Sequence, residues 1–121
     1  MHVFANIISD RGSKYAVSGG ACASEDAAKA FIRDLKRKKK FAKATHHSWG
    51  LLTEAGPIRH DDGEGGAGMV ILRMLERFDL RGELVVVTRW YGGKHLGGDR
   101  FRYVQDAVAY YVAQVHPGAA R

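Results

Sequence analysis

Three features are scarce in this sequence: it has one cysteine, two prolines and no long apolar run. The single cysteine, Cys22, excludes an internal disulfide and is typical of a protein kept in a reducing compartment. No apolar run approaches the roughly 18 to 20 residues that cross a bilayer, and the N-terminus lacks the basic and apolar regions of a secretory signal. We therefore expect no membrane partner and a cytoplasmic location.

The length and composition predict one ordinary globular domain. A chain of 121 residues builds one hydrophobic core but not two. Apolar residues make up 45% of it and charged residues 26%, as in typical globular proteins. Because we find neither an internal repeat nor a linker composition, we expect a single domain over residues 1–121.

Acidic residues are almost missing from one segment, residues 33–43, which holds seven basic residues and one acidic residue. The two signs balance at 12 each in the rest of the chain, so this segment carries the entire net charge of +6. Such a basic run predicts binding to RNA or to an acidic protein surface. The alternative is a solvated helix end, where cations also stabilise the C-terminal dipole. The candidate nucleic-acid-binding residues are Arg33, Lys36, Arg37, Lys38, Lys39, Lys40 and Lys43.

The apolar periodicity predicts the element order ββαβαβα. A loop is expected between the third strand and the second helix, over residues 54–65. This order predicts an α+β fold, a two-layer sandwich in which a four-stranded, mostly antiparallel sheet carries its helices on one face. The expected strands cover residues 2–9, 14–18, 46–53 and 84–88, and the expected helices run from residue 25 into the basic run, over 66–78 and over 100–115.

Residues 84–99 combine an apolar strand, an aromatic pair and a glycine-rich loop. The run at 84–87 predicts a strand at the sheet centre, and glycines then occupy positions 92, 93, 97 and 98. Glycine is favoured where the backbone needs a positive φ or approaches another segment closely. The spacing matches neither phosphate-binding glycine motif, and Asp99, at the expected N-cap of the last helix, would repel an anion. Two interpretations remain open: a constrained turn, or a recognition surface with aromatic anchors.

Adjacent side chains at the end of this strand are expected to face opposite ways. We expect Trp90 to anchor the fold and Tyr91, with its polar hydroxyl, to face solvent. His46 and His47 follow the same rule in the third strand, which argues against one metal shared between them.

An acidic loop, Asp61–Glu64, invites a metal-dependent hydrolase interpretation because carboxylates and nearby histidines bind divalent ions. The spacing matches no known metal motif, and no nucleophile with a paired base is present. We therefore expect no catalytic residue, no metal and no cofactor. The alternative is structural: the carboxylates accept hydrogen bonds from loop amides or pair with Arg89, which would place the acidic and glycine-rich loops side by side.

Three motifs in register resemble the IMPACT family, also described as the Impact N-terminal or YigZ-like domain. The first is Val87–Gly93 followed by Leu96-Gly97 and Asp99–Phe101, and its Arg-Trp-Tyr-Gly-Gly spelling is closest to eukaryotic IMPACT. The second is the acidic loop followed by Ala67-Gly68, and the third is Ala44–His46. The resemblance covers roughly residues 10 to 113, nearly the whole chain.

This resemblance implies a fold similar to the second domain of small-subunit ribosomal protein five and to domain IV of the ribosomal translocase. It also implies a non-enzymatic regulator of translation or stress response, because eukaryotic members inhibit a starvation-activated kinase by competing for its activator protein. Those members carry an RWD domain, and longer bacterial relatives carry a ferredoxin-like domain; we expect neither here. The expected partner is a protein of the translation machinery, or the ribosome and its RNA.

We expect the binding surface to form where the acidic and glycine-rich loops meet. One alternative function is a general RNA-binding module that uses the basic run, and a small hydrolase at the acidic loop is less favoured. The candidate surface residues are His46, Asp61, Asp62, Glu64, Arg89, Tyr91, Gly92, Gly93 and Lys94.

Overall fold

The computed structural model describes residues 1–119, which form five strands and four helices. The strands are β1 (His2–Asp10), β2 (Ser13–Ala21), β3 (His46–Thr53), β4 (Gly56–His60) and β5 (Glu83–Trp90). The helices are α1 (Glu25–Lys36), α2 (Lys39–Ala42), α3 (Ala67–Arg77) and α4 (Asp99–Val115). No helix in this part of the chain has both the length and the apolar character that crossing a membrane requires.

Strand β5 lies in the middle of one sheet whose strand order is β1-β2-β5-β3-β4. Every neighbouring pair is antiparallel, and Val87 of β5 lies opposite Val17 of β2 and Ser48 of β3. The run Leu84–Val87 is at most 2% exposed, as expected of a strand covered on both faces. The α+β class and the antiparallel sheet are therefore confirmed.

Helices cover both faces of the sheet, which corrects the predictions that they lie on one face and that the chain builds a single core. Successive residues of β5 divide between two cores: Val85 and Val87 pack with α3 and α4, whereas Leu84 and Val86 pack with α1 and α2. The physical reason is that β5 is apolar at consecutive positions, so each of its faces needs a cover. Leu35, on the apolar stripe of α1, is fully buried in the second core.

A fifth strand, β4, occupies the segment predicted to be a loop, so the prediction of four strands was wrong. It pairs with β3 through a two-residue turn, with Thr53 opposite Gly56. Pro57 is tolerated because β4 lies at the sheet edge, where no further strand needs its missing N–H. Five residues that include glycine and proline carry too weak a strand pattern to be recognised from sequence.

The basic run does not continue α1 as a single helix. Ser24 Oγ caps α1 as predicted, by accepting the N–H of Ala27 at 3.1 Å, and the helix ends at Lys36. The one-turn helix α2 follows, and Phe41 within it is 3% exposed in the core beside Trp49 and Val86. Burial of this one aromatic ring attaches an otherwise charged segment to the sheet.

Candidate binding surface

A buried ion pair joins the end of β5 to the acidic loop between β4 and α3. Arg89 Nη1 donates to Glu64 Oε1 at 2.7 Å, and both side chains are 6% exposed. Removing two charged groups from water costs desolvation free energy. The attraction between them offsets that cost only when the geometry is good and further hydrogen bonds are made. The pair therefore locks the two loops together. It also corrects the expectation that Arg89 and Glu64 lie on the surface, since both are buried beneath it.

Arg89 contacts two further segments. Its Nη2 donates to Ser13 Oγ at 3.2 Å, and the same hydroxyl oxygen accepts the N–H of Gly92 at 3.2 Å. The guanidinium carbon lies 5.7 Å from the ring centroid of Tyr15 and 5.5 Å from that of Tyr91, distances typical of cation–π contacts. One buried side chain thus holds β2, the acidic loop and the glycine-rich loop in fixed relative positions.

His46 completes this network from β3, where it is paired opposite Arg89. Its Nε2 lies 3.2 Å from Glu64 Oε2, and its Nδ1 lies 2.8 Å from the carbonyl oxygen of Asp62. Both neighbours are hydrogen-bond acceptors, so each ring nitrogen of His46 faces an acceptor oxygen. Both carboxylate oxygens of Glu64 are therefore engaged.

The two aspartates of the acidic loop bind backbone amides. Asp61 accepts the N–H of Gly66 at 3.1 Å and that of Gly68 at 2.8 Å, and Asp62 accepts the N–H of His47 at 2.7 Å. Burial alone would raise the pKa of Asp61, but the two amide bonds outweigh it and hold that pKa below the ordinary 3.8. Within residues 1–119 no group of three His, Cys, Asp or Glu side chains is arranged to hold a metal ion.

The glycine-rich loop lies directly against the turn between β1 and β2. A Cβ at Gly92 would lie 2.0 Å from the carbonyl carbon of Gly12, so any larger residue would push the two backbones apart. Gly93 has a φ of +91°, which other residues rarely adopt. At the end of the loop Asp99 is the first residue of α4 rather than its predicted N-cap, and its carboxylate pairs with Arg11 at 2.6 Å.

Tyr91 is exposed at this end of β5, with 44% of its surface accessible. Its N–H donates to Thr45 Oγ1 at 2.9 Å, and its ring lies 5.8 Å from that of His95. We call the exposed group Tyr91–His95 the Tyr91 surface. It contains four candidate residues, Tyr91, Gly92, Gly93 and Lys94, whereas His46, Asp61 and Asp62 are half-buried in the supporting network.

Trp90 faces the opposite side of β5, as the alternation of strand residues predicts. Its ring packs edge-on against Phe41 at 5.2 Å, and its Nε1 donates to the carbonyl oxygen of Lys40 at 3.0 Å. It is half-buried rather than fully buried. Trp90 therefore anchors the short helix α2, with the charged end of Lys40 5.4 Å from its ring.

All seven candidate residues of the basic run are exposed, but their surroundings differ. Arg33 and Lys36 line a groove between α1 and β4. Lys40 instead contacts Trp90 and donates to Asn6 Oδ1 at 3.1 Å. The run is therefore not one uniform patch.

Sequence reasoning missed the buried hydrogen bonds of His47. The carbonyl of Phe41 only accepts, so His47 Nε2 donates to it at 3.0 Å, and Nδ1 accepts from Thr88 Oγ1 at 2.8 Å. This neutral tautomer fits a pKa that desolvation lowers from the ordinary 6.5. The hydroxyls of Ser13 and Thr45 were missed as well, since no local pattern marks a hydroxyl whose partner is 76 or 46 residues away.

The fold and these interlocked loops define a class of small α+β domain in which motif residues support one exposed loop at the end of a central strand. Residues 11–112 match the Impact N-terminal domain, and the chain belongs to that family. The resemblance read from the three motifs is therefore confirmed.

The chain is similar to longer proteins of the family. It is 36% identical over 108 residues to the protein IMPACT homolog of Caenorhabditis elegans and 35% identical over 107 residues to that of Saccharomyces cerevisiae. These matches cover 83% and 84% of the chain but 42% of each relative. The chain thus spans less than half the length of these curated relatives.

Two solved structures share the fold. One, described as a hypothetical protein, superposes with a TM-score of 0.80 at 25% identity, over 93% of this chain and 57% of that one. The other is the two-domain translational regulator Yih1, with a TM-score of 0.54 at 31% identity, over 93% of this chain and 46% of that one.

Proposed function

We propose that this chain is a non-enzymatic regulatory domain that acts in translation control by binding a protein of the translation machinery on the Tyr91 surface. The observation that carries the proposal is the exposure of Tyr91, at 44%, with its ring packed against the buried guanidinium of Arg89. An amphipathic aromatic side chain on a fixed backbone loses little entropy on binding, which makes it a good interface anchor.

The arrangement of the loops supports recognition by a preorganised surface. The backbone of Tyr91 is fixed by Thr45, that of Gly92 by Ser13, and the ring of Tyr91 lies over Arg89. A partner therefore meets a surface whose shape exists before binding, which reduces the entropic cost of association. His95 and Lys94 extend the surface with polar groups beside the aromatic ring.

The relatives support the placement in translation control. Yih1, which shares the fold at 31% identity, is a translational regulator. The family match covers residues 11–112, which include every residue of the Tyr91 surface and its supporting network.

The state of the carboxylates favours binding over catalysis. Both oxygens of Asp61 accept backbone N–H groups, and both oxygens of Glu64 contact Arg89 or His46. A hydrolase would need at least one of these carboxylates free to hold a metal or to activate water.

A cell-free translation extract tests the proposal. Purified protein added to the extract should change reporter output in a dose-dependent manner, and Tyr91→Ala should remove that effect while lowering the melting temperature only slightly. Tyr110 is a matched control, because it is a tyrosine of similar exposure, at 40%, on α4. Tyr110→Ala should behave as wild type. Equal activity of the wild type and the Tyr91 variant would place the function elsewhere.

RNA binding by the basic run is the second candidate function. It is favoured by one observation: all seven basic residues are exposed, and within residues 1–119 only Arg37 forms an ion pair, with Asp34 at 3.8 Å. Cations that the protein leaves free are available to phosphates.

A further inference from the structure

A groove of about 480 Å³ lies between α1 and the β3–β4 hairpin. It is on the sheet face opposite Arg89, since Trp49 and Ile58 at its floor belong to the core beneath α1. No residue of the Tyr91 surface lines it. Its volume falls in the range of about 300 to 1,000 Å³ that is usual for small-molecule sites.

Four cations line this groove: Lys29, Arg33 and Lys36 from α1, and Arg59 from β4. Lys29 pairs with Glu25, whereas none of the other three forms an ion pair with a carboxylate of residues 1–119. The basic side chains of α1 and of β4 therefore line the same groove, and Arg33, Lys36 and Arg59 are not held by a direct ion pair. Cations placed close together repel one another, and an anion between them relieves that repulsion.

The two carboxylates that line the groove, Glu25 and Asp62, offset only part of the charge of its four cations. Glu25 pairs with Lys29 at 3.4 Å, and Asp62 accepts the N–H of His47 at 2.7 Å. Glu25 and Asp62 therefore each bind a group other than Arg33, Lys36 or Arg59. The groove keeps a positive balance that a ligand of negative charge would meet.

The rest of the lining is apolar. Ile32 of α1 and Ile58 of β4 are half-buried, so part of each side chain faces the groove. Trp49 lies beneath them and contacts the ring of His60, with ring centroids 6.1 Å apart. A few convergent polar groups over an apolar floor are the usual composition of a pocket for a small organic ligand.

We propose that this groove binds a phosphate ester of mononucleotide size. The phosphate lies between Arg33, Lys36 and Arg59, and the organic part covers Ile32 and Ile58. A phosphate carries nearly two negative charges and accepts bidentate hydrogen bonds from arginine, which suits a site with two arginines and one lysine. This site goes beyond the proposed function, because it uses the other face of the sheet.

A nucleotide fits this groove better than the backbone of an RNA strand does. Arg59 lies outside the basic run, on an edge strand, while Lys38 and Lys39 of the run do not line the groove. A site that served the run as a whole would not need Arg59. The apolar floor also favours a ligand whose organic part ends within the groove.

Titration calorimetry of the full chain with AMP, adenosine and inorganic phosphate tests the proposal. AMP should bind more tightly than either of its parts, since only AMP engages both the cations and the apolar floor. Arg59→Gln should weaken AMP binding by roughly tenfold, which corresponds to about 1.4 kcal/mol. Lys39→Gln removes an equal charge outside the groove and should leave AMP affinity within about twofold of wild type.

A ten-nucleotide RNA separates the groove from the basic run. RNA with a 5′-phosphate should compete with AMP, whereas the same RNA without it should not. The proposal would be overturned if AMP did not bind at millimolar concentration, or if Arg59→Gln and Lys39→Gln weakened binding equally. Competition by RNA regardless of its 5′-phosphate would also overturn it. Thermal melts of both variants verify that each remains folded, which is expected because both residues are exposed.

Discussion

Arg89 and the basic run use the same kind of charge in opposite ways. Arg89 is 5% exposed and is held by a carboxylate, a hydroxyl and two aromatic rings. The basic run lies on the other side of β5, where its seven cations are exposed and mostly without acidic partners. The first arrangement fixes the positions of loops, and the second leaves charge available to a ligand.

This difference indicates that burial, rather than charge, decides whether a residue of this domain supports the fold or stays accessible to a partner. The family motif contains both kinds side by side, since buried Arg89 and exposed Tyr91 are two positions apart. Variants that remove a buried member should change stability first, and variants that remove an exposed member should change binding first.

The largest effect should come from breaking the buried ion pair. Glu64→Gln keeps the shape of the side chain but leaves the Arg89 guanidinium buried without a counter-charge, which costs about 3 to 5 kcal/mol of unfolding free energy. Urea denaturation measures this. Glu25→Gln is the control, because its exposed pair with Lys29 contributes about 0.5 kcal/mol or less. Similar losses in the two variants would mean that burial does not distinguish the pairs.

Two neighbouring glycines should differ in how much they tolerate alanine. Gly92→Ala forces a Cβ into the backbone of Gly12 and should destabilise by about 1 to 3 kcal/mol, as overpacking does. A Cβ at Gly93 would contact no other atom, so Gly93→Ala should lower stability only through the strain of a positive φ, by about 1 kcal/mol. Denaturation of both variants gives the comparison, and a Gly93 variant that is less stable than the Gly92 variant would contradict the close approach of the two turns.

The exposed cations should affect nucleic-acid binding rather than stability. If about five of them contact phosphates, the logarithm of affinity for single-stranded RNA should fall with the logarithm of salt concentration at a slope near −3.5. Replacing Lys38, Lys39 and Lys40 with Gln should reduce the slope by about two units while the melting temperature stays close to that of wild type. Binding that does not depend on salt would show that the run is only a solvated helix end.

The smallest effect should be a pH dependence from His47. Desolvation lowers its pKa, so the folded protein binds fewer protons than the unfolded chain below the ordinary value of 6.5. Its contribution to stability is therefore complete above pH 6.5 and is lost as pH falls towards the folded-state pKa. Melting temperatures at pH 8 and pH 5.5 should differ less in His47→Gln than in wild type. His60→Gln, at an exposed position, should retain the wild-type difference.

The elements that could be predicted from sequence are those with a strong local pattern. The apolar run Leu84–Val87 identified the central strand, and Ser24 before an acidic first turn identified the start of α1. The strand β4 could not be predicted, because Gly56 and Pro57 begin it and hide its pattern. The face of the sheet that α1 covers could not be predicted either, since an apolar stripe shows which side of a helix is buried but not what it is buried against.

The candidate site also contains features that could be predicted from the sequence and features that could not. A pairing between Glu64 and Arg89 was one of two structural alternatives for the acidic loop. The exposure of Tyr91 was predicted from strand alternation together with its polar hydroxyl and its position next to Gly92. The burial of Arg89 was missed, because a charged residue at a strand end normally reaches solvent. Its burial depends on the hydroxyl of Ser13, which no local sequence feature connects with β5.

Affinity capture from an extract of translating cells tests the central claim most directly. Immobilised wild-type protein and Tyr110→Ala should retain the same protein of the translation machinery, identified by mass spectrometry, and Tyr91→Ala should not. With the purified partner, the Tyr91 variant should bind about 30-fold more weakly, which corresponds to about 2 kcal/mol for a central anchor. An unchanged dissociation constant in Tyr91→Ala, with the fold intact, would contradict the account.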